Sequence, residues 1–213
     1  MKQILFSLIF VSLTIFSGSL NANQVAARLI APATTVTPGD TVWLGISLNI
    51  AEGWNTYWSN PGSTGLPPTL ELSDGHQLYS PELQFPLAKT KPFGKDASLL
   101  TYGYTTHVLH PFRVTVPLNV TGKWSLRGEA SWLVCADICI PESQSVSISL
   151  PVSSSNFDVP NSSEAQRIDE ARAMVPTAFP GAANFVGSRS VWISGLVDTN
   201  VQDVMPESSG ETL

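Results

Sequence analysis

The stretch Trp124 to Val152 reads WSLRGEASWLVCADICIPESQSVSISLPV and holds both cysteines of the 213-residue chain. Before the cysteines, Trp124, Leu126, Ala130, Trp132 and Val134 fall on a period of two; after them, Val146, Ile148, Leu150 and Val152 do the same. That period marks half-buried strands, because successive side chains leave a strand on opposite faces. Two such strands so close in sequence predict a tight hairpin, with Cys135 and Cys139 at its two mouths. Facing residues of an antiparallel pair lie roughly 4.5 to 5.5 Å apart at Cα, inside the span of about 4.4 to 6.8 Å that a disulfide accepts. The spacing allows a bond.

The ordinary role of a cysteine pair in an exported domain is a structural staple. Loop entropy argues for another use: a ring of roughly five residues is worth only about 2 kcal/mol, against about 3 for a fifteen-residue loop. A lone short-loop disulfide flanked by Trp132 and Pro141 suits a bond that is made and broken, although the residues alone leave the staple open. No Lys, Arg or His stands within several residues of the pair, while Asp137 lies between the cysteines and Glu142 comes just after them. Acidic neighbours and apolar cover raise a thiol pKa, so the expected thiols are sluggish at rest and activated when a partner docks.

Outward from the hairpin, Thr41–Ile50 places Val42, Leu44, Ile46, Leu48 and Ile50 on one face, after a Pro38-Gly39-Asp40 turn. Gly53 to Trp58 is aromatic and β-prone. Its side chains read first as core, with the alternative that Trp54 or Tyr57 lies over the cysteines. Thr69 to Leu72 and Leu78 to Phe85 read as two edge strands in a Pro- and Gly-rich region. Leu99 to Tyr104 is LLTYGY, and Phe112, Val114, Val116, Leu118 and Val120 alternate as another strand. Pro111 and Pro117 put that strand at a sheet edge or beside a bulge.

Short strands with turn signals and no helical period between them predict an all-β, immunoglobulin-like β-sandwich over residues 23–152. Gly 15, Pro 16 and 13% charged residues suit such a domain. Residues 153–176 read as a linker with one short helix, capped by Ser163 and Gln166, running to about Met174 and stopped by Pro176. Residues 177–213 read as an incomplete C-terminal segment, the start of a second domain or a disordered tail, with a strand at Ser190 to Val197. At the other end, Lys2, the apolar run Ile4 to Phe16 and the small and polar residues to Ala22 read as a signal peptide, 1–22, cleaved after Ala22. Its apolar core of about 13 residues is too short to span a membrane.

A net charge of -6 disfavours nucleic acid and anionic lipid as partners. The chain has no phosphate-binding glycine loop, no nucleophile elbow and no HExxH. Of His76, His107 and His110, the last two are three apart and point to opposite faces of a strand, so no metal site and no cofactor is expected.

Three separated motifs carry a family resemblance: GWNTYWSNPGSTGLPP (Gly53 to Pro68), TYGY (Thr101 to Tyr104) and WLVCADICIPE (Trp132 to Glu142). Over about Arg28 to Val152 the chain resembles the periplasmic N-terminal domain of DsbD-type thiol:disulfide interchange proteins, in the branch of the copper-sensitivity suppressor (ScsB-like) membrane reductases. The resemblance implies an immunoglobulin-like sandwich whose cysteine pair shuttles electrons. A membrane-embedded reductase domain reduces the pair, which in turn reduces periplasmic thioredoxin-fold proteins. Cys139 resembles the cysteine that forms the mixed disulfide and Cys135 the resolving one. Tyr102 falls in the family's cap loop, and Trp54, Tyr57 and Trp132 resemble aromatics lining the site. Leu99, Leu100 and Thr101 stand where the best-known branch has acidic residues, so the carboxylate that assists proton transfer is either absent here or Asp137. The family's membrane and thioredoxin-like parts are absent, so the chain reads as a truncated form, a fragment or a stand-alone module. Two rivals remain: an exported binding module with a structural disulfide, and a periplasmic copper-handling protein using both cysteines and a histidine.

Overall fold

Leu44, Ile46 and Leu48, spaced by two in the strand Thr41–Ile50, are buried almost completely, as their alternation requires. The structure is a computed structural model that describes residues 23–32, 35–93, 99–153, 162–177, 182–186 and 190–194. The expected signal peptide, the linker after Ser153 up to residue 161 and the tail beyond residue 194 lie outside the described residues. In chain order the strands are Val25–Ile30 (β1), Thr41–Ile50 (β2), Thr56–Gly62 (β3), Thr69–Ser73 (β4), Leu78–Tyr79 (β5), Lys89–Phe93 (β6), Leu99–Tyr104 (β7), His107–Thr115 (β8), Lys123–Cys135 (β9) and Cys139–Pro151 (β10). The helix Ser163–Ala173 (α1) comes next, and then the hairpin of Ala182–Val186 (β11) and Ser190–Ser194 (β12).

Three antiparallel sheets build an immunoglobulin-like β-sandwich, in the orders β1-β2-β8, β10-β9-β4-β5 and β3-β7-β6. Leu44, Ile46 and Leu48 of β2, Phe112 and Val114 of β8, Leu70 and Leu72 of β4, and Trp124, Leu126, Trp132 and Val134 of β9 share one core. Side chains close the seam between β1 and β10. The Gln144 amide accepts from the Ala27 N–H and donates to the Ala27 carbonyl, both at 2.9 Å, and the Glu142 carboxylate accepts from the N–H groups of Gln24 and Val25.

Several boundaries differ from the sequence reading. Thr69–Ser73 is not an edge strand; it pairs with β9 on one side and β5 on the other. The Pro- and Gly-rich character of the region suggests an edge, but Pro67 and Pro68 precede the strand, where no ladder bond is lost. The strand expected over Leu78 to Phe85 stops at Tyr79, just before Pro81. Irregular chain continues to Ala88, and side chains satisfy its backbone: Trp58 Nε1 donates to the Phe85 carbonyl (3.3 Å), Tyr104 Oη to the Pro86 carbonyl (2.6 Å). The strand begun by Phe112 ends at Thr115, and Leu118, expected to face inward, is 84% exposed in the turn before β9. Pro111 does lie in an edge strand, β8.

The helix forms where expected, but its cap is Ser162, whose Oγ accepts from the Ala165 N–H at 3.0 Å. Its Ile168 and Ala171 pack with Ile30, Leu109 and Trp43 on the outer face of the β1-β2-β8 sheet. Arg172 lies 4.1 Å above the Trp43 ring, a cation–π contact that helps to seat the helix.

Candidate functional site

The hairpin register runs without a break from Pro151 opposite Lys123 to Cys139 opposite Cys135. At its end the two cysteines form a disulfide, with Cα atoms 4.1 Å apart. The pair is tighter than the expected range because Cys135 turns its backbone away from Cys139. The Cys135 N–H donates to the Asn55 carbonyl (3.0 Å), and the Asn55 N–H donates to the Cys135 carbonyl (2.9 Å). Cys135 and Cys139 are thus a non-hydrogen-bonded pair, the closer of the two kinds in an antiparallel ladder.

The two sulfurs differ in access. Cys135 is fully buried between the hairpin and the segment entering β3, while Cys139 is exposed at the start of β10. The turn between them carries exposed Asp137 and Ile138, the latter 64% exposed. Trp132 is buried further down β9, and its Nε1 donates to Glu142 Oε2 at 3.2 Å. That carboxylate also accepts from two backbone N–H groups of the first strand region, so hydrogen bonds compensate its charge.

Tyr57 reaches the sulfur pair: its Oη and Cys139 Sγ are 4.0 Å apart. The ring is wholly buried and packs against Gly65, whose φ of +119° and proximity leave no room for a side chain. Burial raises the Tyr57 hydroxyl above its ordinary value, and the nearby Asn55 side chain offsets part of the rise. Asn55 is 3% exposed, and its Oδ1 accepts from Lys91 Nζ at 2.9 Å. β6 delivers Lys91 through its pairing with β7, where Lys91 faces Thr101.

Trp54, Tyr57 and Trp132 all come to this end of the sandwich, though Trp54 is half-buried against the main core. Tyr102 faces the other way. Tyr57 pairs with Gly103 and Thr56 with Tyr104, so by alternation Tyr102 shares a face with Trp58, whose ring it meets edge-on at 6.3 Å. Tyr57 therefore sits on the sulfur side of β3 and Tyr102 on the core side. The sequence reading did not include Asn55 or Lys91. Asn55 stands inside the GWNTYW motif, where its polar character between aromatics was a usable signal. Lys91 lies 36 residues after Asn55, and nothing local marks it.

The histidines lie on opposite faces, as expected. His107 is exposed, with its Nε2 3.0 Å from Ser47 Oγ and 3.1 Å from Arg167 Nη2. His110 is buried, with Nδ1 3.1 Å from the Gln84 carbonyl. Among the described residues, no group of three His, Cys, Asp or Glu is placed to hold a metal ion, and no helix is long and apolar enough to cross a membrane.

Known proteins match over the same residues. The family described as "Thiol:disulfide interchange protein DsbD, N-terminal" matches residues 26–151. Among solved structures, the N-terminal periplasmic domain of ScsB from Proteus mirabilis is similar at 19% identity with a TM-score of 0.57, a likeness of fold. The match covers 80% of this chain and 64% of that one, so the chain spans less than two thirds of its relative's length. The sporulation control protein Spo0M from Bacillus subtilis aligns over 62% of this chain and 50% of that one, at 14% identity and a TM-score of only 0.30. No curated protein matches.

Proposed function

Because the chain belongs to the family of DsbD thiol:disulfide interchange N-terminal domains, we propose that it relays electrons in the periplasm from a membrane-embedded reductase to thioredoxin-fold proteins. The observation that carries this reading is the asymmetry of one disulfide: a buried Cys135 and an exposed Cys139 beside the Tyr57 hydroxyl. In the reduced chain, the Cys139 thiolate attacks a sulfur of the partner's disulfide, and the partner's other sulfur leaves as a thiolate. The Cys135 thiolate then attacks Cys139 Sγ in the mixed disulfide, which re-forms the internal bond and releases the partner's second thiolate. Two electrons pass to the partner and the two thiolates take up protons. The membrane reductase reverses the sequence, with its dithiol as reductant. No cofactor is needed, since the sulfurs carry the electrons themselves.

In this reading residues 1–22 export the chain to the periplasm, 23–152 form the exchange domain, 153–176 link it to the C-terminal segment, and 177–213 begin a further domain or a tail. Trp54, Tyr57 and Trp132 wall the site and Asp137 supplies a carboxylate at the turn, whereas Tyr102, expected as a cap, packs on the core side against Trp58. Copper tolerance is the process the family branch suggests.

The test is the reduction potential of the pair, read by equilibrating the chain with graded glutathione buffers and counting free thiols. A value near roughly -200 to -250 mV with the fold retained on reduction is expected of a relay; a value below about -300 mV, or unfolding on reduction, would make the bond a staple and the chain a binding module.

A further inference from the structure

One of the contacts that seat α1 on the sandwich depends on a single lone pair. Arg167 Nη2 lies 3.1 Å from His107 Nε2 and 3.5 Å from Ser47 Oγ, and the same ring nitrogen is 3.0 Å from Ser47 Oγ. A guanidinium has donors and no acceptor, so Nε2 accepts here and the ring is neutral, with its proton on Nδ1. Protonation puts an N–H on Nε2, and two cationic donors then face each other across the contact. Among the described residues no carboxylate lies within salt-bridge distance of Arg167 to replace the ring as its partner.

We infer that His107 and Arg167 form an acid-released latch: with the ring neutral α1 is held on the face of β2 and β8, and with the ring protonated α1 and the chain that follows it leave the sandwich. The rest of the seat does not change charge near neutral pH. Ile168 and Ala171 are buried with Ile30 and Leu109, Arg172 covers Trp43, the Leu87 N–H donates to the Met174 carbonyl (2.8 Å), and Ser162 Oγ donates to the Pro32 carbonyl (2.8 Å). Glu164 is paired with Arg28 and Asp169 with Arg172, and such carboxylates keep their charge down to about pH 4. Glu170 and Lys89 line the same cleft of about 440 Å³ as His107 and Arg167. Glu170, which accepts from Gln166 Nε2, favours the protonated ring, and Lys89 disfavours it. His110, buried on the other face of β8, is pushed down to about 4 and stays neutral in this range. Burial and the Arg167 charge both hold His107 below its ordinary 6.5. A value depressed in the docked state gives its full contribution above about pH 6.5 and loses it as pH falls, by at most about tenfold in the docking equilibrium per pH unit. A helix of 11 residues is marginal in water by itself, so α1 melts once it leaves the sheet.

The experiment is amide hydrogen–deuterium exchange of the full chain, read by mass spectrometry over Ser163 to Met174, with each observed rate divided into the intrinsic rate at the same pH. Between pH 7.5 and 5.5 the protection of this segment should fall by about three- to tenfold. His107→Gln, whose amide oxygen accepts from Arg167 at either pH, should keep its pH 7.5 protection at pH 5.5. Arg167→Met should lower protection already at pH 7.5 and leave a further fall of less than about twofold. Equal protection of the wild-type segment at the two pH values overturns the inference. So does a fall in His107→Gln as large as in the wild type, which assigns the effect to His110 or to the domain as a whole. If His107→Gln does not fold, Arg167→Met decides alone, because a full wild-type fall in the absence of the guanidinium is incompatible with the latch.

Discussion

Two polar clusters in this sandwich are built from similar parts and end differently. At the disulfide, Lys91 meets the Asn55 side chain, the Asn55 backbone is bonded to Cys135, and the Tyr57 hydroxyl lies beside the exposed Cys139. Under the helix, Arg167 meets His107 and Ser47, and the contacts end there, tying α1 to β2 and β8. Each joins a cation to partners distant in sequence. The difference lies in what each cluster adjoins: one lies beside a disulfide at the exposed end of a hairpin, the other ties a helix to the outer face of a sheet.

That contrast is broken most sharply by substitution at the two ends. Cys139→Ser should reduce exchange with a thioredoxin-fold disulfide to background, whereas Arg167→Ala should leave the exchange rate within about twofold, both read from partner thiol release. If Arg167→Ala also abolished exchange, the two clusters would not be independent.

The second largest effect concerns β8, the strand that the helix-side cluster rests on. Burial pushes His110 down from 6.5 to about 4, with the Gln84 carbonyl opposing in part and His107 adding a little. A folded value below the unfolded one means that stability is complete above about pH 6.5 and falls as pH drops toward 4, by at most roughly 3 kcal/mol. Urea unfolding across that window should show the loss, and His110→Phe, set among Phe85 and Tyr104, should flatten it. At the disulfide, reduction alone should cost about 2 kcal/mol and keep the fold, since twelve further cross-strand pairs hold the hairpin together without the bond; circular dichroism with and without reductant decides this. The smallest change is at the tie itself: Arg167→Ala should lower stability by about 1 kcal/mol, measured by the same urea titration.

The regular parts of this architecture were legible because burial tracks the period of the sequence. β2 and the β9–β10 hairpin alternate cleanly, and the disulfide is the outcome of two cysteines facing across a short turn. β3 was harder to read. Its pairing with β7 shifts between Tyr57 and Gly62, and Tyr57 and Trp58 are both buried although they leave opposite faces, because a sulfur site lies on one side and the core on the other. Aromatic content alone cannot separate those destinations. Lys91 was invisible for another reason: its place depends on β6 pairing with β7 and β7 with β3, three strands whose mutual order no local pattern encodes. The cap and stop signals of the helix are local and legible, but its seat on the outer face of β2 is not, since Trp43 reads as an ordinary outward residue until Arg172 covers it.

The side-chain seam between β1 and β10 has a consequence for the order of assembly. β1 is synthesised first, yet the amide that occupies its Ala27 backbone groups belongs to Gln144, 117 residues later. A growing chain therefore carries an open β1 edge until nearly the whole domain exists, and no earlier strand of the sandwich supplies that amide. The closure of this edge falls to two side chains, Glu142 and Gln144, on the strand that begins at Cys139, so completing the barrier to stray strand addition and completing the cysteine hairpin are the same late event.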